Sequence, residues 1–189
     1  MPEASLLHEA DQKPCVRGLL FRLRRDVSGA TAVEFAIVSV PFLFFIIGII
    51  GIGLHFFTTS TLESAVETAS RKILTGQAQS GGLTLGEFKQ LVVDQGPGLL
   101  KPGKLNLHIQ KASSWAALTP VQCLKDGALT PPAGNASERV DKFAGGAGEV
   151  VLVTACYEWD LARSLGLGNM ANGSSLIRAA ATFKTEPYQ

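Results

Sequence analysis

Residues 24–57 read RRDVSGATAVEFAIVSVPFLFFIIGIIGIGLHFF. A basic patch comes first, then Gly29, then Glu34, then a long apolar run. Between Phe35 and Leu62 there is no Asp, Glu, Lys or Arg, and only His55 could carry charge. That gap exceeds the roughly 20 residues, at about 1.5 Å rise each, that carry a helix across a bilayer core. The stretch predicts one transmembrane helix over about residues 35–57, with a leader before it and an exported domain after it.

Orientation follows from the flanks. Arg17, Arg22, Arg24 and Arg25 crowd the N-terminal side, whereas the far side opens with Glu63 and Glu67 before Arg71. Lys/Arg density close to a span holds that side in the cytoplasm. Residues 1–16 show little periodicity and are expected to be disordered, with Cys15 a free thiol. The apolar run is longer than a secretory signal core, and no small-x-small site closes it. Glu34 at its mouth is costly unless it finds a partner. One reading places it at headgroup depth, where it complements the helix N-terminal dipole.

Beyond the span, Leu62, Val66, Ala69 and Ile73 recur at helical spacing, with Glu63, Glu67, Arg71 and Lys72 largely off that stripe. One helix from about Ala32 to Leu74, ending near Gly76, is therefore expected. Its outer third either lies against the rest of the domain or runs alone beside the membrane. Pro41 removes one helix hydrogen bond, and Gly48, Gly51 and Gly53 loosen the helix, so its middle is expected to bend or unwind. The same glycines also suit close helix packing.

QAQSGG, residues 77–82, reads as a flexible break. Thr84 and Glu87 form a T-x-x-E capping box opening a short helix over about 85–94. KLNLHIQK, from Lys104, alternates Leu105, Leu107 and Ile109 with Asn106, His108 and Gln110, a half-buried strand. Residues 112–147, with Pro120, Pro131 and Pro132, read as an irregular excursion. EVVLVTACYEW, from Glu149, is apolar enough for a central strand, and a last strand follows over about 175–184. The expected fold is α+β: a long N-terminal transmembrane helix, a second short helix, and an antiparallel sheet of about three strands. Cys123 and Cys156 both fall in the exported domain, where a disulfide between them would pin the excursion to the sheet. Two buried free thiols are the other reading.

Composition and motifs bound the chemistry. Seventeen Lys+Arg against sixteen Asp+Glu leave no basic face for nucleic acid. Residues 98–104, GLLKPGK, match the front of a P-loop. Leu105 stands where a magnesium-binding hydroxyl is required, and a strand rather than a helix follows. His8, His55 and His108 fall in three segments on two sides of the membrane, so they form no shared metal site. Asn135-Ala136-Ser137 fits a glycosylation sequon, a match too short to carry an argument. No catalytic, cofactor-binding or metal-ligating residue is assigned, and neither a cofactor nor a small-molecule substrate is expected.

A basic residue, Gly29, a small residue at Ala30 and Glu34 at the fifth place from it, before an unbroken apolar helix, resemble a type IV prepilin processing site. The fuller stretch SGATAVEFAIVSVPFLFFIIGII is similar to the TadE/TadG-like family of tight-adherence pilus assembly proteins, most strongly over residues 27–75. A weaker similarity reaches the C-terminal AAATFKTEPYQ. The resemblance implies a pilin-like arrangement, with residues 1–29 as leader, 30–75 as the long helix and 76–189 as the exported domain. It implies cleavage between Gly29 and Ala30 by a membrane prepilin peptidase, and helix docking through Glu34 and Phe35, with Glu34 facing an α-ammonium, its own or that of a neighbouring pilin-type helix. It further implies a non-enzymatic pseudopilin in a bacterial inner membrane, with its domain in the periplasm, whose partners are other pilins and the assembly platform. An uncleaved, signal-anchored envelope scaffold is the alternative.

Overall fold

The computed structural model describes residues 29–132, 134–166, 168–170 and 172–186. Residues 1–28 of the leader, with Cys15, and the last three residues, 187–189, of the closing motif lie outside the described residues. The chain forms two units, residues 1–46 and 47–189. In the first, α1 begins at Ala30 and its apolar side chains stand exposed, among them Phe35, Phe42, Phe44 and Phe45.

Helix α1 spans Ala30–Leu74 without interruption. It contains Pro41 and all three glycines, so the expected unwinding does not occur. The reason is local: one proline deletes a single N–H donor, and glycine lowers propensity without removing any hydrogen bond. The helix ends where Gly76 adopts φ 76°, the left-handed region that glycine enters without strain. The segment after it is ordered rather than a flexible break. Gln77–Ser80 form a helical turn, α2, and the buried Gln79 side chain donates to the Ile73 carbonyl at 3.2 Å.

Helix α3, Leu85–Asp94, opens on Thr84. The Glu87 N–H donates to Thr84 Oγ1 at 3.2 Å and the Thr84 N–H donates to Glu87 Oε2 at 2.9 Å, which satisfies two donors at the helix start. Strands β1 (Leu105–Ala112), β4 (Val150–Trp159) and β5 (Ser175–Lys184) make an antiparallel sheet in the order β1-β4-β5. Leu107 pairs with Ala155, and Ala155 with Ala179. The architecture is α+β.

The core joins Leu62, Val66, Ala69 and Ile73 of α1 to Phe88 and Val92 of α3 and to alternate residues of the sheet. On β4 those are Val151, Val153, Ala155, Tyr157 and Trp159. The intervening Leu152, Thr154 and Cys156 are buried as well, on the opposite face. Burial on both faces explains why β4 is apolar without alternation. It also revises β1: His108, opposite Thr154, is 3% exposed rather than facing water.

The excursion supplies the cover over that second face, and it is less irregular than its composition suggests. Leu124–Lys125 (β2) and Ala128–Leu129 (β3) form a hairpin, and Asp141–Ala144 form a helical turn, α4. The hairpin turns at Asp126-Gly127, with φ 52° and 77°, the positive pair that a two-residue turn demands. Asn106 Nδ2 donates to the Thr130 carbonyl at 3.0 Å, and Cys123 is disulfide-bonded to Cys156 with Cα atoms 5.5 Å apart. Backbone bonds from Leu85 to Glu138, from Gly86 to Ala136 and from Val140 to Leu83 tie the excursion to the start of α3.

Candidate functional site

The N-terminal end of α1 carries the residues singled out for processing and docking. Gly29 immediately precedes the helix and is exposed. A Cβ placed on it meets nothing within 4 Å, so packing among the described residues does not require glycine there. Ala30 is the first helical residue. Glu34, one turn in, is exposed and has no ion pair or hydrogen bond among the described residues. Phe35 is 75% exposed. The helix thus presents one unpartnered carboxylate at the head of an uncovered apolar cylinder.

In the second unit, one face of α1 is covered from Gly51 onward. Gly51 and Thr58 are buried, and His55 between them is half-buried. A Cβ on Gly51 would lie 2.6 Å from Leu165 Cδ1, so glycine here admits a close neighbour. His55 meets Trp159 edge-on, with ring centroids 5.1 Å apart. Leu165 closes a five-residue helix, α5 (Leu161–Leu165), which follows β4 directly. Nothing in the sequence periodicity marks α5; the signal was the glycine at 51, which looks like a helix loosener until its neighbour is seen. Cβ atoms at Gly48 and Gly53 meet nothing within 4 Å.

A charged network sits beside α5. Lys104 Nζ lies 2.8 Å from Asp160 Oδ1 and 3.2 Å from Glu158 Oε1, and Lys101 Nζ is 3.9 Å from Asp160. Ser174 Oγ and Asn172 Nδ2 also donate to Glu158 Oε1. The Lys104 hydrogen bond and charge hold the Asp160 carboxyl below its ordinary value. For Glu158, burial pulls upward, but the Ser174, Lys104 and Asn172 donors outweigh it and the carboxyl is lowered. Asp160, then Glu158, raise the Lys104 ammonium. The final lysine of the P-loop-like GLLKPGK, Lys104, is therefore engaged by two carboxylates, and the segment before it is a turn. Tyr157 Oη, pushed up by burial, donates to the Leu99 carbonyl at 2.9 Å and fastens that turn to β4.

Strand β5 runs alongside α1 in the same direction. Its first residue, Ser175, pairs with Trp159, which touches His55. Past its end, the Glu186 N–H donates to the Leu74 carbonyl at 3.0 Å. Between them lies an open groove of about 690 Å³, with Glu63, Glu67 and Ser70 on the helix side and Arg178, Ala180 and Phe183 on the strand side. Among the described residues β5 pairs only with β4, and its other edge is open. The Arg71–Glu67 pair at 3.8 Å is 72% exposed on both sides and contributes little.

Among the described residues no three of His, Cys, Asp and Glu are grouped so that they could hold a metal ion. By length and composition α1 can cross a membrane. Residues 29–71 match the family model of TadE-like proteins. No curated protein and no solved structure matches the chain.

Proposed function

We propose that this chain, whose residues 29–71 carry the TadE-like segment, is a non-enzymatic pseudopilin of a tight-adherence pilus or related secretion machine. It is anchored in the inner membrane by α1, with the domain built on the rest of α1 lying in the periplasm. The observation that carries this reading is the coincidence of that match with one continuous helix. The match opens at Gly29, one residue before the helix, and ends at Arg71 in its last turn. A prepilin peptidase cutting between Gly29 and Ala30 accounts for a glycine that packing does not require. Cleavage makes Ala30 an α-ammonium, and Glu34 on a neighbouring helix then gains the partner that a carboxylate in a membrane needs.

N-terminal sequencing of the protein made in a strain with an active prepilin peptidase tests the reading. Ala30 is the expected first residue, and Gly29→Trp is expected to block maturation. Glu34→Ala is expected to leave membrane insertion intact and abolish assembly with the other pilins and the platform. Met1 or Pro2 as first residue assigns the chain instead to the uncleaved envelope scaffolds, and normal maturation of the Gly29→Trp protein overturns processing at Gly29.

A further inference from the structure

We infer that the periplasmic face of the bilayer meets this protein at Gly51, and that α5 rests there in the lipid headgroup layer. The inference builds on the membrane-anchored reading above and locates where that anchor ends. An apolar sequence alone carries the span on to Phe57, but the neighbours of α1 forbid it. Leu165 is seated on Gly51 and Trp159 on His55, so the stretch from Trp159 to Leu165 lies level with that part of the helix. That stretch holds Asp160, Arg163 and Ser164, the last two exposed. Asp160 is also tied to Lys101 and Lys104, whose side chains are 65% and 32% exposed. Exposed charge is excluded from hydrocarbon in contact with lipid. The hydrocarbon boundary therefore falls on the N-terminal side of Gly51.

The same residues suit the headgroup layer. Leu161 is 41% exposed at the start of α5, and Phe56 and Phe57 project from α1 at 68% and 60% exposure. Apolar and aromatic groups beside Lys101 and Arg163 form a mixed surface of the kind that partitions to a membrane interface and meets anionic headgroups. One consequence concerns length. From Phe35 to Ile50 about 16 residues remain, roughly 24 Å of helix, against a hydrocarbon core of about 30 Å. The bilayer thins around the helix, or Glu34 is drawn below the opposite headgroups.

Depth measurement on the full-length protein tests this. Nitroxide labels are placed singly by Val38→Cys, Ile47→Cys, Phe57→Cys and Leu161→Cys in a Cys15→Ser background that keeps the native disulfide. The protein is inserted in vesicles of phosphatidylethanolamine and phosphatidylglycerol, and power saturation compares oxygen with a water-soluble nickel chelate. The expected result is Val38 and Ile47 labels exposed to oxygen and shielded from nickel, with Phe57 and Leu161 labels both at phosphate depth. A Phe57 label as deep as Ile47, or a Leu161 label as open to nickel as in bulk water, overturns the inference while leaving the anchor in place. A Val38 label open to nickel overturns both.

Discussion

His108 reads in the sequence as the polar member of an alternating strand, yet it is among the most deeply buried polar groups described. Its pKa is lowered from the ordinary 6.5 mainly by burial, with partial compensation from the backbone at Thr130. The folded protein therefore resists taking up a proton that the unfolded chain accepts below that value. Stability from this group is complete above pH 6.5 and declines as pH falls below it. Urea midpoints are expected to be lower at pH 5.5 than at pH 7.5, and His108→Gln should shrink the difference. An unchanged difference in the variant would assign the pH response elsewhere. Period-two alternation identified the strand but could not reveal the second cover. That cover comes from the part of the excursion around Cys123 and Thr130, which carries no periodicity of its own.

At the level of elements, legibility tracked how local each stabilising contact is. The capping box needs only Thr84 and Glu87, three positions apart, and α3 occupies the span those residues announce. Thr84→Ala is expected to lower unfolding stability by about 1 kcal/mol, read as a shift of the denaturation midpoint with an unchanged slope. The stripe from Leu62 to Ile73 likewise declared which face of α1 is buried, because helical spacing is a property of the chain itself. The Asp126-Gly127 hairpin had a usable signal in its turn residues, but strands of two residues leave no alternation to confirm it. Helix α5 had no signal in its own residues. Five residues cannot sustain a helix alone, and this one depends on Gly51, which stands more than a hundred positions earlier.

For the molecule as a whole, the bridge between Cys123 and Cys156 joins the excursion to the central strand across a sequence separation of 33. It fastens the cover over the face that holds His108 and Thr154. Replacing both cysteines by serine is expected to cost about 2–4 kcal/mol, measurable by equilibrium unfolding without reductant. Two readily alkylated thiols in the unreduced folded domain would contradict the bridge itself. The sequence supports the pairing only through compartment and count; that it closes over the second face of the sheet depends on a tertiary arrangement that no spacing encodes.

The shared direction of β5 and α1 has an effect on self-association. An open strand edge ordinarily invites an identical edge to join it antiparallel, which needs a two-fold axis across the strands. Because β5 points the same way as α1, that operation would turn one copy's helix head to tail relative to the other. Two copies inserted in one bilayer with the same sense cannot satisfy it. On the membrane-anchored reading proposed above, insertion thus acts as a filter on symmetry: differently oriented partners can add strands to this sheet, while pairwise dimerisation through β5 is open only to copies that have left the lipid.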